Sequence, residues 1–218
     1  MARVLEKEVM TDPIECVAYA QYDKSQMIGL FMDKLATYFP NIDGSLICDI
    51  GCGNGDYYPS LCSAYPNSTF VGYDASPEML TLADEHIPSP KVDFIEKYIP
   101  YDVLPAETYD GVISTMFLHQ LPNPMVFWDA LKQTIKPNGF FIMLDMIRVE
   151  DDAICDDIVN YYVPSDQDVF ALEFKNSLKA SFIISEISQQ LIDANIIATI
   201  EVVELPNNFN VYFVHGKI

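Results

Sequence analysis

The stretch Ile47-Cys48-Asp49-Ile50-Gly51-Cys52-Gly53-Asn54-Gly55-Asp56, ICDIGCGNGD, decides the fold. An apolar run, Leu46 to Ile50, ends in glycines at three alternate positions, as a buried parallel strand does when it feeds a loop and then a helix. A loop of this kind admits a ligand to the backbone, and three ligand classes compete for it. A phosphate-binding loop needs Gly-x-x-x-x-Gly-Lys-Ser/Thr, and no lysine follows Gly55. A nicotinamide or flavin fingerprint needs Gly-x-Gly-x-x-Gly; Gly51 and Gly53 fit, but Asp56 occupies the third position, where it would crowd the helix and repel a pyrophosphate. The third class is a cationic ligand, which Asp49 and Asp56 at the two ends of the loop favour.

Outward from this stretch the chain alternates strand-like and helix-like segments. Thr69 to Tyr73, Lys91 to Ile95, Tyr109 to Ser114 and Gly139 to Asp145 read as further strands. Helices are predicted at Tyr57 to Tyr65, at Pro77 to His86 with Ser76 as N-cap, and at Pro124 to Ile135, ending before Lys136-Pro137-Asn138-Gly139. Strands alternating with helices imply βαβ units and a doubly wound, Rossmann-like α/β sheet. The end of the chain departs from this rhythm: Ala198 to Glu204 and Val211 to Gly216, joined by the turn-rich LPNNFN, predict an antiparallel hairpin. Thr11 to Tyr19 and Ser25 to Tyr38 read as amphipathic helices before the first strand. Asp151 to Tyr162 and Asp166 to Ala180 read as two helices inserted before a crossover helix at Ser185 to Ala194. The expected organisation is one domain over 1–218, with cap helices in 1–40, a ligand-binding core in 45–145, inserted lid helices in 146–184, and the crossover helix and hairpin in 185–218.

The 218 residues, half of them apolar, suffice for a full core. A formal charge of -20 sets the surface field against phosphate backbones and anionic lipids, so no nucleic-acid or membrane partner is expected. The N-terminal MARVLEKEVMTDPIE has no apolar run, and no segment reaches the roughly 18 apolar residues of a membrane span, so a cytoplasmic protein is expected. Five scattered cysteines without a Cys-x-x-Cys pair read as structural thiols, with no metal site.

A ligand combining an amino acid ammonium with a positive sulfur matches the acidic loop, and that chemistry points to S-adenosylmethionine. Asp-x-Gly-x-Gly-x-Gly after a first strand resembles the first motif of the class I S-adenosylmethionine-dependent methyltransferases. VGYDASPEML, Val71 to Leu80, is similar to the second strand of that family with the acidic residue at its tip. YDGVISTMFLHQLPNP, Tyr109 to Pro124, resembles the fourth strand and its loop, and LKQTIKPNGFFIMLD, Leu131 to Asp145, the fifth. The resemblance covers roughly Ser45 to Ile218 and implies a seven-stranded sheet, mostly parallel. It implies cofactor contacts at Asp49, Gly51, Cys52 and Gly53, and at Asp74, where both ribose hydroxyls would bind. Ala75 and Met79 would flank ribose and adenine, with Ser114 and Thr115 at the end of the fourth strand. After the third strand the family commonly has Gly-Asp; here Lys97 and Tyr98 stand instead, and adenine contact falls to backbone groups or to stacking on Tyr98.

The reaction implied is methyl transfer from S-adenosylmethionine to an O or N nucleophile of a small molecule, leaving S-adenosylhomocysteine. His119, after the fourth strand, is the candidate base; the alternative is a histidine that packs or binds backbone in that loop. Tyr22 joins it as a catalytic candidate. Tyr19 and Tyr22 would close an acceptor pocket from the N-terminal helices, or serve as packing residues; Phe117, His119 and Asp145 would complete it, with Asp145 orienting an amine or capping a helix. The segments RVLEKEVM and AYAQYD, with the terminal hairpin, resemble small stand-alone bacterial enzymes of secondary metabolism, acting as monomers or homodimers. A methyltransferase-like binding or regulatory protein without turnover is the alternative that Lys97-Tyr98 motivates.

Overall fold

The computed structural model describes residues 1–218 apart from Glu8, Pro88 and Pro100. Seven strands, β1 (Leu46–Ile50), β2 (Thr69–Asp74), β3 (Val92–Glu96), β4 (Tyr109–Thr115), β5 (Ile135–Met146), β6 (Ala198–Glu204) and β7 (Asn210–Lys217), form one sheet in the order β3-β2-β1-β4-β5-β7-β6. The first five pair in parallel; β7 runs antiparallel to both β5 and β6. The strand order reverses between β1 and β4, and a crevice opens there beyond the carboxyl ends of the strands. The glycine loop follows β1, so the topology delivers it to the crevice.

Alternation along the strands divides the core between the two faces of the sheet. On β5, Phe140, Ile142, Leu144 and Met146 face one side with Phe31, Tyr58 and Phe70; Phe141 and Met143 face the other with Trp128 and Tyr212. Each large apolar side chain so covered contributes roughly 1.5 to 3 kcal/mol. Helices α1 (Pro13–Gln21), α2 (Ser25–Tyr38), α3 (Tyr58–Ala64), α4 (Pro77–His86), α5 (Met125–Thr134), α6 (Asp152–Tyr162), α7 (Asp168–Ala180) and α8 (Ile184–Ala194) complete the architecture. At the start of α4 the Ser76 hydroxyl accepts from Met79 N at 3.1 Å, with Pro77 supplying the first helical residue. Asp151 caps α6 in the same way, through Ile154 N at 2.9 Å.

One boundary differs from the sequence reading. The helix after Pro124 ends at Thr134, and β5 begins at Ile135, so Lys136-Pro137-Asn138-Gly139 lies within the strand. Ile135 pairs with Tyr109, the register then shifts, and Phe140 pairs with Gly111. The tetrapeptide is absorbed as an irregularity, with Asn138 at φ 66° and Lys136 paired to Asp110 at 2.8 Å. Gly139 is required here because a Cβ would lie 2.8 Å from the Lys136 carbonyl oxygen and 3.0 Å from that of Asp110, backbone atoms that cannot swing away. Gly139→Ala should therefore cost about 1 to 3 kcal/mol of stability, read as a lower urea midpoint at unchanged slope.

Candidate functional site

At the end of β1 the loop enters the left-handed region, with Gly51 at φ +77° and Gly53 at φ +54°. Its amides do not point into the crevice. Gly51 N and Cys52 N both donate to the Tyr73 carbonyl, at 2.8 and 3.1 Å, and Gly53 N donates to Asp74 Oδ2 at 2.8 Å. These three donors are committed to the end of β2, so a pyrophosphate would not find the amide cradle that a dinucleotide loop presents. A Cβ on Gly53 would meet nothing within 4 Å, whereas one on Gly51 would lie 2.3 Å from the Phe117 ring. Gly53 leaves the loop open toward the crevice; Gly51 admits Phe117 against its backbone.

Asp74 accepts from Gly53 N through Oδ2 and from Ser76 N at 2.9 Å through Oδ1. Each carboxylate oxygen has about two acceptor sites, so one on each remains for a ligand. Burial pushes the Asp74 pKa up, and the amides of Ser76, Gly53 and Ala75 oppose that rise. Around Asp74 the cleft is walled by Gly51, Cys52, Gly53, Ala75, Met79 and Thr115, residues that the sequence reading selected. Lys97 and Tyr98 line its continuation beside Tyr73 and Ile99. The expected Lys97-Tyr98 substitution thus falls at the wall of the cleft, where Tyr98 N is held by Asp102 Oδ2 at 2.7 Å.

Other expectations need correction. Alternation places Asp49 on the α3 face of β1, where it is 3% exposed and does not line the cleft. Among the described residues its Oδ1 has no hydrogen-bond partner. Burial pushes its pKa up to about 7, with the Tyr58 hydroxyl opposing and the charge of Asp74 reinforcing the rise. Ser114 is not at the cleft either: its buried hydroxyl donates to the Ile50 carbonyl at 2.7 Å and ties β4 to β1. Asp56 lines the cleft but is not a bare anion, because Lys24 of the α1–α2 connection meets Oδ2 at 2.6 Å. Burial pushes the Lys24 pKa down and Asp56 opposes this.

A second cavity, partly open to solvent, adjoins the first. Tyr19 of α1 and Tyr22 just after it line the cavity together with Tyr162 of α6 and Phe170 and Phe174 of α7, so the N-terminal and inserted helices build its walls. Met10, Tyr19, Tyr57, Met116 and Gln120 line both cavities. Met116 adopts φ 52°, a strained conformation for a residue with a side chain, at the end of β4 where the two spaces meet. Tyr57, Met116 and Lys24 escaped the sequence reading; the only signal was position beside the glycine loop and after β4. Phe117 lines the cofactor-sized cleft and not the second cavity. Tyr22 stacks on Phe170 with centroids 4.0 Å apart and donates its hydroxyl to the Tyr162 carbonyl at 3.2 Å, leaving it a wall residue.

His119, a lining residue of the second cavity, is 2% exposed. Its Nδ1 lies 2.6 Å from Asp145 Oδ1 and its Nε2 lies 3.1 Å from Glu6 Oε1, while its own amide donates to Asp145 Oδ2 at 3.0 Å. Burial alone would push the imidazole pKa down, but Asp145 and Glu6 outweigh it and push it up to about 10. Both ring nitrogens lie within hydrogen-bonding reach of a carboxylate oxygen, an arrangement that favours the protonated ring over a general base. Asp145, fully buried, serves His119 and not an acceptor. Glu6 belongs to the N-terminal segment, which is tied down where Arg3 donates to the carbonyls of His119 and Leu121 at 2.8 and 2.9 Å. No periodicity or motif marked Arg3 or Glu6.

Comparison with known proteins bears on this geometry. Residues 48–143 match the family described as a methyltransferase domain. A malonyl-acyl-carrier-protein O-methyltransferase of Halalkalibacterium halodurans is 32% identical over 100 residues, covering 44% of this chain and 37% of that protein. A trans-aconitate 2-methyltransferase of Afipia carboxidovorans is 29% identical over 105 residues, 48% of this chain and 40% of the relative. The matches thus span less than half the length of these curated relatives. In fold, the chain is similar to an S-adenosylmethionine-dependent methyltransferase from Aquifex aeolicus, with TM-score 0.69, 22% identity, and 96% and 100% of the two chains covered. The plantazolicin methyltransferase BpumL gives TM-score 0.71 at 17% identity, covering 94% and 92%. The cyclase SpnF gives 0.66 at 12% identity, covering 99% and 87%.

The His119 arrangement carries a pH signature. Its folded pKa, about 10, lies above the ordinary 6.5, so the protonated ring stabilises the fold fully below pH 6.5, and the contribution is lost as pH rises through about 10. The stability advantage of the native chain over His119→Gln, from urea unfolding, should shrink across that window; an advantage independent of pH would mean a neutral ring.

Proposed function

We propose that the chain, whose residues 48–143 match a methyltransferase domain, is a class I S-adenosylmethionine-dependent enzyme that transfers a methyl group to an O or N nucleophile of a small molecule. The observation that carries this reading is the pair of adjoining cavities: an acidic cleft at Gly51 to Gly53 and Asp74 shares Tyr19, Tyr57 and Met116 with an aromatic cavity. When bound, S-adenosylmethionine supplies the electrophilic methyl group. The cleft suits it on two counts. Asp74 keeps one acceptor site per oxygen for a vicinal diol, and the loop withholds its amides from phosphate.

Displacement at a sulfonium methyl needs alignment above all. Holding two reactants in line contributes about 7 to 11 kcal/mol, whereas a general base contributes roughly a hundred- to ten-thousandfold. Tyr19, Tyr57 and Met116 therefore serve as the collar that fixes the direction of approach, and the burial of Tyr57 keeps water from it. His119 is a positioning residue: its charge holds Asp145 and Glu6 and so seats the N-terminal segment over both cavities. The acceptor's proton leaves to solvent or to another group. Walls from α1, α6 and α7 limit the acceptor to a small molecule, and the acidic charge argues against a nucleic-acid partner.

A binding or regulatory protein without turnover is the second reading, favoured by the absence of a free base at His119. Calorimetry with S-adenosylmethionine, S-adenosylhomocysteine and a nicotinamide dinucleotide tests the site, and binding only of the last overturns the proposal. Cell extract incubated with labelled methyl donor and read by mass spectrometry tests turnover; cofactor binding without any labelled product selects the second reading. Asp74→Ala should weaken S-adenosylhomocysteine binding roughly ten- to a hundredfold, the loss of two charge-assisted hydrogen bonds. Unchanged affinity in the folded variant would remove Asp74 from the ribose site.

A further inference from the structure

We infer that the acceptor is a largely apolar molecule carrying a basic nitrogen, and that Glu173 of α7 holds this nitrogen against the aromatic walls of the second cavity. The inference rests on the methyltransferase reading and deepens it by naming the substrate class.

The walls come first. Tyr22 and Phe170 stack, Phe170 and Phe174 lie nearly parallel at 6.0 Å, and Phe209 meets Phe174 edge-on at 5.4 Å. Such a lining takes up apolar surface, and its ring faces attract cations. The structure already contains one example at the cavity wall, the Lys24 ammonium 4.0 Å over the Tyr19 ring.

Charge decides between an acidic and a basic acceptor. Each cation that lines the cavity already has a carboxylate: Lys7 pairs with Glu15 at 3.5 Å, Lys24 with Asp56 at 2.6 Å, and His119 lies between Asp145 and Glu6. A carboxylate acceptor would have to compete for every one of them. Glu173 is in the opposite position. It lines the cavity, is half-buried, and has neither a hydrogen bond nor an ion pair among the described residues. Burial pushes its carboxyl pKa up, and the charges of Glu15 and Glu6 push it further, with Lys7 opposing. Glu6 offers no relief: it meets His119 Nε2 at 3.1 Å and accepts from Ser177 Oγ at 3.0 Å, so it brings no cation to Glu173. A cation entering beside Glu173 would relieve repulsion that the free protein bears; an anion would increase it.

The test uses the full chain preloaded with S-adenosylhomocysteine and three probes on one skeleton, naphthylmethylamine, naphthylmethanol and naphthoate, titrated by calorimetry. The amine should bind at least about tenfold more tightly than the alcohol or the acid. In Glu173→Gln, which keeps the side-chain shape, that preference should vanish while S-adenosylhomocysteine affinity stays unchanged. Equal or tighter binding of the alcohol or acid overturns the substrate class, as does failure of the amine to bind. An amine preference that survives in Glu173→Gln overturns the role of Glu173. S-Adenosylhomocysteine binding is read first: its absence sinks the methyltransferase reading itself, whereas its presence without amine preference sinks only this inference.

Discussion

The site depends on where three consecutive amides point. Gly51, Cys52 and Gly53 turn their N-H groups toward the Tyr73 carbonyl and the Asp74 carboxylate, which closes the loop onto β2 and holds it in a positive-φ path. That single commitment has two effects. It positions Asp74 at the floor of the cleft with half its acceptor capacity unused, and it removes from the cleft the donors that an anionic ligand would need. A glycine loop is thus turned from an anion site into a neutral-to-cation site without any change in its glycine spacing. Phe117, lying against the bare Gly51 backbone, keeps the loop from relaxing back toward the crevice.

A second constraint acts through charge. Three ionisable groups, His119, Asp145 and Glu6, are almost wholly withdrawn from solvent at the end of β5. Burying charges costs several kcal/mol each unless they meet, and this cluster repays the cost only while all three remain together. Glu6 comes from the N-terminal segment, so the electrostatics of the core reach out to order a stretch of chain with little apolar surface to bury. Arg3, stacked 3.9 Å over Phe182 and donating to the His119 carbonyl, fixes the same segment from the other side. Val9 and Met10 of this segment line the cleft, so its docking completes the site.

The fold was legible because it is written in periodicity and punctuation. The ICDIGCGNGD stretch, the Ser76-Pro77 start of α4 and the LPNNFN turn each have a local physical cause that acts over a few residues, and the sheet order follows from their succession. Lys136 to Gly139 was misread because its turn chemistry is real, but the register shift against Tyr109 absorbs it into β5. In the site, the cleft residues were legible where a motif fixes them, as at Gly51, Gly53, Asp74 and Ala75. Asp49 and Ser114 belong to the same motifs yet face the interior, a matter of strand alternation that the motif alone does not weigh. His119 shows the deeper limit. Its chemistry is set by Glu6 and Asp145, 113 and 26 residues away along the chain, and no local pattern announces a pairing of that kind.

The wall shared by the two cavities links these levels. On the proposed reading, a donor cleft and an acceptor cavity are useful together only if the two spaces meet and the approach angle is fixed. Among the residues that line both are Tyr19 from α1, Tyr57 before α3, and Met116 after β4, from three elements far apart in sequence. Met116 holds a left-handed conformation that costs of order 1 to 3 kcal/mol and is sustained by the Met116 N bond to the Leu144 carbonyl at 2.8 Å. Tyr19 is half-buried at the cavity wall; desolvation raises its pKa, with Asp56 adding to the effect, and the Lys24 ammonium lies over its ring. The collar is therefore rigid on the β4 side and electrostatically clamped on the α1 side. Lys24, which pairs with Asp56 beside the cleft, also lies over the Tyr19 ring at the cavity, so one half-buried ion pair touches both spaces.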